Sequence, residues 1–426
     1  MENLQEITKL SLRAGRIVCE SSGETYRAED TIAIIGRSLG AEVIEPYVTP
    51  TGITLYGEKR DDNGVLRSNS CSVRIKKRST NLGKITAINS LSRHIAVHAN
   101  AIDYQTIETE IERIAAIPDS NTTSTAILTT ALSALFFTLI FSGTVSDALI
   151  AASVGIIMQT VLQILSPLKI SSFFSAVIGS SIISFSSGFL SYIGIKMNFN
   201  IVNVASLMCL VPGVAIVIAI RDIIGGDYVS GTARAMEAFV VASSLSVGAA
   251  AGLLVFPSAL DYSTSVPILL NKPILASLAA AGASATFAVL FRVKNKFHIF
   301  LAALAGGVSW LFYVLLNNRG VSALQACFLG SFSAGIISEI FALLFKAPST
   351  VFFIPALISF VPGGGMYAIM HNAVLGKPDA TMASFFSTLS IAGAIALAIA
   401  LATAVARIIS YFRRKLSSFN LLKILR

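Results

Sequence analysis

Ten apolar stretches run through residues 124–411, each near the roughly 20 residues that a helix needs to cross about 30 Å of hydrocarbon. They cover 124–141, 146–165, 171–193, 200–220, 229–256, 274–291, 298–316, 321–345, 351–370 and 380–411. Inside a bilayer no water satisfies backbone N–H and C=O groups, so such stretches fold as helices that close their own hydrogen bonds. Composition agrees: 54% of the 426 residues are hydrophobic and 13% charged, against about a quarter charged in ordinary soluble domains.

The charges are divided unevenly. Residues 1–123 hold 15 of the 32 Lys and Arg and 16 of the 23 Asp and Glu, the balance of a soluble domain. The remainder carries 17 basic residues but only seven acids: Asp147, Asp222, Asp227, Glu237, Asp261, Glu339 and Asp379. The net charge of +9 therefore arises in the apolar part, in short loops and in the tail Arg413, Arg414, Lys415, Lys423 and Arg426. Anchoring by the positive-inside rule explains this better than a nucleic-acid partner. Loops with Lys169, Arg221, Arg292, Lys294, Lys296 and Lys346 form the more basic set, and those with Lys196, Lys272, Arg319 and Lys377 the less basic. Both termini are thus expected in the cytoplasm. The first twenty residues lack the apolar core of a signal peptide. Cys19, Cys71, Cys209 and Cys327 form no CxxC pair and predict neither a disulfide framework nor a zinc site.

Three segments follow: a cytoplasmic α/β domain over 1–120, a first five-helix repeat over 121–265, and a second with the basic tail over 266–426. In the first, helical spacing covers 4–20 and 25–39, strand-like runs cover 43–48, 53–56 and 71–75, and two more helices cover 84–99 and 103–116. Pro118 and the polar run Asp119 to Ser124 read as a linker.

The repeat rests on Val211-Pro212-Gly213 and Val361-Pro362-Gly363, 150 residues apart in the fourth and ninth stretches. At that offset Gly226 falls on Gly376, Arg221-Asp222 on His371-Asn372, Glu339 on Phe189, and the first stretch on the sixth. Five spans per half, an odd number, send the second half in from the opposite side, so the repeat is expected to be inverted, as in many secondary transporters.

Proline in mid-helix removes a backbone hydrogen bond, and glycine beside it frees the chain from helical geometry. Leu210 to Val214, and Ile354-Pro355 through Phe360 to Gly365, are therefore expected broken helices. One alone would read as a simple kink. Paired at matching places they predict a substrate site at Pro212, Gly213, Pro362, Gly363, Gly364 and Gly365. The charged cluster Arg221, Asp222, Asp227, Arg234 and Glu237 follows the first break. Arg234 and Glu237 lie three apart on one helical face, where they would pair. Such a cluster is either a structural interface or a carrier of protons or substrate. Glu339, flanked by Ile336, Ile337, Ile340 and Phe341, is either hydrogen-bonded between helices or a proton-exchanging carboxyl.

Other motifs say less. His94 and His98 share a helix face without the acid of an HExxH metal site. Gly248 and Gly252 form a GxxxG that serves bundle packing as readily as a homo-oligomer contact. No GxxxxGK[ST] loop occurs, so ATP-driven pumping has no support and no cofactor is expected.

Several strings together resemble a known family. Gly23-Glu24-Thr25-Tyr26-Arg27 with Asp30, Val48-Thr49-Pro50-Thr51-Gly52, Asn81-Leu82-Gly83 and Leu91-Ser92-Arg93 resemble the N-terminal domain of the threonine/serine exporters. Val211-Pro212-Gly213 with Arg221-Asp222, Gly226-Asp227, Ser230-Gly231 and Arg234 resembles the family's membrane signature. Lys346-Ala347-Pro348 and Phe360-Val361-Pro362-Gly363 resemble its second half. The resemblance covers essentially the whole chain. It implies export of threonine and serine across a bacterial inner membrane, driven by protons. Split members of the family are similar to dicarboxylate exporters, so a succinate-like substrate stands as an alternative. A membrane-anchored enzyme with a catalytic N-terminal domain is the alternative of another class; matched broken helices argue against it, since an anchor needs none.

Overall fold

The computed structural model of the chain describes residues 2–98, 103–256 and 272–424. Asp261 and Arg426, and the side chains of His371, Arg413, Arg414, Lys415 and Lys423, lie outside that description. The N-terminal unit comprises α1 (Glu2–Glu20), α2 (Thr25–Ser38), β1 (Val43–Thr49), β2 (Gly52–Arg60), β3 (Leu66–Arg74), α3 (Leu82–His98) and α4 (Tyr104–Ala115). The strands form an antiparallel sheet in the order β1-β2-β3. Ile44 and Val48 of β1 and Ile53 and Leu55 of β2 are buried under α1 and α2, whose Ile7, Leu10, Ala14, Ile32 and Ile35 meet them at helical spacing. β3 begins at Leu66, five residues before the expected strand. Its first half, Leu66 to Ser70, is largely exposed and polar, so backbone pairing with β2 alone defines it.

Eight helices among the described residues are long and apolar enough to cross a membrane. They are α5 (Thr123–Ile140), α6 (Val145–Leu165), α7 (Ser172–Tyr192), α10 (Tyr228–Val255), α11 (Pro273–Leu290), α12 (Lys296–Asn318), α13 (Ala323–Phe345) and α16 (Pro378–Ile424). The expected fourth and ninth stretches are instead pairs of short helices: α8 (Phe199–Leu207) with α9 (Gly213–Ile224), and α14 (Thr350–Ala356) with α15 (Gly363–Val374). Both bounds of α5 and α11, and of α9 and α15, fall 150 residues apart, as do the first residues of α10 and α16. The chain leaves α5 and α11 through the left-handed Ser142 and Arg292, each with φ 61°. It leaves α9 and α15 near Gly226 and Gly376, which also have positive φ and so spare a side chain the strain.

Local chemistry fixes several ends. Thr144 and Asp147 form a capping box at the start of α6, and the second carboxylate oxygen of Asp147 accepts from Asn198 N at 2.8 Å. One of the seven acids beyond residue 123 thereby has a structural task. Asp379 lies in the first turn of α16, where a negative charge complements the helix dipole. A side chain on Gly248 would strike Val177 and Ser180, and one on Gly252 would come within 2.7 Å of Phe185 N, so this GxxxG face packs α10 against α7 within the chain.

The N-terminal unit is not held by a free linker. Lys84 pairs with Asp119 at 2.7 Å, and Asn121 donates to the carbonyls of Val289 and Leu290 at the end of α11. Leu82 N donates to Phe291 O at 2.9 Å, and Leu82 and Ile85 belong to the hydrophobic core of the helical part. Thr123 and Ser124, expected in the linker, are already helical.

Candidate functional site

The two breaks share one backbone design. Leu210 and Val211 N–H both reach back to Leu207 O, and Gly213 N donates to Val211 O at 2.8 Å, closing a three-residue turn around Pro212. In the other half Phe360 and Val361 reach Leu357 O, and Gly363 N donates to Val361 O at 2.7 Å around Pro362. Two expectations need correction. Pro355 lies inside α14 rather than at the break, and Gly363, Gly364 and Gly365 begin α15 rather than unwinding. The unwound backbone is 208–212 and 357–362, because each proline sits just before a helix, where its missing N–H costs nothing.

The breaks touch. A methyl group on Gly213 would come within 2.5 Å of Val361, and one on Gly363 would strike the Met208 thioether. On either side of this contact lies a cavity. One, of about 230 Å³, faces the N-terminal unit and is walled by Val211 to Ala215 of the first break together with Ser22, Arg78, Arg234 and Glu237. The other, of about 490 Å³, lies toward the opposite end of the bundle, beside Phe141 and Ala323 at the ends of α5 and α13. It is walled by Val361, Pro362, Gly364 and Gly365 with Ser384 and Ser387. Val211, Pro212, Val214, Ala215, Arg234 and Glu237 in the first wall stand 150 residues before those six in the second. Trp310 and Ser359 also face the larger cavity, both buried, and among the described residues their Nε1 and Oγ find no hydrogen-bond partner. Tyr313 and Phe360 flank the indole at ring-centroid distances of 4.7 and 5.1 Å. Buried polar groups without partners are exceptional and invite a ligand or water.

A charge network lies where the N-terminal unit meets α9 and α10. Asp222 pairs with Arg234 at 3.0 Å and accepts from Thr25 Oγ1 at 3.2 Å. Arg234 also donates to Gly23 O at 2.8 Å. Arg221 forms an ion pair with Glu24, donates to Tyr26 Oη and Thr403 Oγ1, and lies over the Tyr26 and Phe353 rings at 5.4 and 5.2 Å. Burial pushes the Glu24 carboxyl up, but Arg221 and Arg27 outweigh it and hold the group below its ordinary 4.5. Arg234 and Glu237 do not pair: each finds a better partner, Glu237 binding Arg78 at 2.8 Å. Asp222 pairs with Arg234 rather than Arg221. The half-buried Asp227 follows Gly226 and donates its N–H to Asp222 O. Glu339 stands apart on α13, beside Ser349, with Arg221 and Arg27 the positive charges acting on it.

At the 150-residue offset, Asp222 with Arg234 becomes Asn372 with Ser384, and these are joined by a hydrogen bond of 3.3 Å. The same contact is charged in one half and neutral in the other. Glu24, Tyr26, Arg27 and Arg78 were not legible as site residues. Glu24, Tyr26 and Arg27 stood only in the string at the junction of α1 and α2 that resembles the family's N-terminal domain, and Arg78 carried no signal.

The family model for threonine/serine exporters matches residues 9–256, and a second, described as "Threonine/Serine exporter, ThrE", matches 276–405. The chain belongs to the threonine/serine exporter family. The first match includes the N-terminal unit and runs to the end of α10, and the second covers α11 to α16 as far as 405. No curated protein and no solved structure gave a match. Family and architecture together make this a multi-pass membrane exporter.

Proposed function

We propose that the chain exports threonine and serine across a bacterial inner membrane, exchanging them for protons. The observation that supports this best is the pair of cavities, six of whose wall residues correspond at 150 and which flank the contact of Gly213 and Gly363 with Val361 and Met208. A transporter must expose one site to each side in turn, and two half-symmetric breaks packed head to head permit that by exchanging their roles. In this reading each pair of short helices counts as one pass, giving ten passes in two inverted five-helix repeats. Both termini and the N-terminal unit then face the cytoplasm. The substrate binds at the turns of Pro212 with Gly213 and Pro362 to Gly365, where helix starts present N–H groups to a carboxylate. Coupling falls to Asp222 or Glu339, since a proton carrier must titrate and arginine stays charged. The test is counterflow in proteoliposomes. Labelled serine or threonine should accumulate against an unlabelled pool, and an imposed pH gradient should accelerate it. Movement of succinate instead would replace the amino acids as substrate; movement of no solute would remove the transporter reading.

A further inference from the structure

We infer that Arg78 and Glu237 form the loading site for a zwitterionic amino acid on the face that carries the N-terminal unit, which therefore supplies part of the substrate's first binding site. This deepens the exporter reading and rests on it. The smaller cavity has three charged groups in its wall, Arg78, Arg234 and Glu237. Arg234 is already committed, at 5% exposure, to Asp222 and Gly23 O. Arg78 and Glu237 bind one another at 2.8 Å in a partly exposed pair, with side chains 23% and 42% exposed. An ion pair so wet is a weak staple. It is a poor explanation for placing one arginine from the segment before α3 and one acid from α10 across the mouth of a cavity.

An amino acid brings both complementary charges. Its carboxylate matches the forked donors of Arg78, and its ammonium matches Glu237, so entry exchanges one exposed ion pair for two partly enclosed ones. A dicarboxylate would set its second negative charge against Glu237, a repulsion that discriminates against it. The larger cavity holds Ser384 and Ser387 where this one holds Arg234 and Glu237, and the N-terminal unit that provides Arg78 has no counterpart there. Loading thus takes place among charges and release among hydroxyls, so the two faces should differ in their KM for a charged-at-both-ends solute.

The experiment compares right-side-out with everted vesicles, oriented by the protease accessibility of an N-terminal tag, using serine as substrate and succinate as competitor. Arg78→Gln and Glu237→Gln should each raise the KM for serine about tenfold from the N-terminal face and leave it within about twofold from the other. Glu237→Gln should also strengthen competition by succinate several-fold. Should Arg78→Gln fail to insert, Arg78→Lys, which keeps the charge but not the fork, should give an intermediate KM on that face alone. Equal KM changes from both faces overturn the inference, as does full recovery of KM in the Arg78→Glu, Glu237→Arg double variant, which marks a merely structural pair. Absence of serine movement in the parent protein sinks the exporter reading itself, before any variant is compared.

Discussion

Glu24 is a carboxylate that almost no water reaches, kept ionised by Arg221 and Arg27 from two different parts of the chain. Replacing it with Gln leaves Arg221 buried between two aromatic rings without an acid, a change that costs about 3–5 kcal/mol for a buried pair broken on one side. The Glu24→Gln protein should therefore expose the N-terminal unit to limited proteolysis that the parent resists. Because the folded carboxyl sits below its ordinary 4.5, the unfolded chain binds the proton more readily. The contact is then at full strength above that value and fades as pH falls through the lower folded one. Protease protection should be flat with pH near neutrality and drop only in acid, so Glu24 does not supply pH dependence to transport at neutral pH. Under the proposed function that task would fall to Asp222 or Glu339. Asp222→Asn and Glu339→Gln should preserve exchange at equal pH while at least one loses acceleration by a proton gradient; if both respond as the parent does, these acids are structural. Asp222 was visible in the sequence as one of seven acids beyond residue 123, just after the fourth apolar stretch. Its setting was not, because Thr25, which donates to it, lies 197 residues away.

The decisive elements are the two interrupted helices, and here the sequence was more informative. Matched Val-Pro-Gly strings disclosed where both breaks lie, since proline and glycine act through local backbone chemistry that needs no partner. What remained hidden was the direction of the interruption. The triple glycine looks unfit for a helix, yet it follows Pro362, whose fixed φ starts one, and close packing supplies what propensity lacks. Gly365 shows the packing, for a side chain there would strike Thr388. The glycines differ in a testable way. Gly213→Ala pushes a methyl group to within 2.5 Å of Val361 and should wedge the breaks apart, abolishing transport with normal membrane insertion. Gly364 has only Val204 nearby, at 4.0 Å, so Gly364→Ala should fold normally, while Gly364→Val intrudes on the larger cavity and should raise KM. Normal kinetics in both Gly213→Ala and Gly364→Val would move the substrate site elsewhere.

At the scale of the molecule, one end of the helical bundle is occupied by the N-terminal unit and the other is bare of it. Single cysteines in a cysteine-free background should report this with an impermeant thiol reagent. Positions 196, 272 and 377 should label from one side, and 169 and 294 from the side that carries the N-terminal unit; labelling of 272 and 294 from the same side would sink the ten-pass arrangement. That most of the chain beyond residue 123 forms long apolar helices was legible because bilayer thickness acts on whole segments. Docking of the N-terminal unit was not, because Leu82, Ile85 and Asn121 look like ordinary helix and loop residues until α11 and its end are beside them. The far cavity carries one more property. The chain contains a single tryptophan, and Trp310 forms part of that cavity's wall with its indole N–H unclaimed among the described residues. Ultraviolet emission from the unlabelled protein is therefore an optical readout of one chamber alone. Serine arriving there should shift the emission maximum, serine confined to the other chamber should leave it dark to the change, and Trp310→Phe should silence the signal altogether.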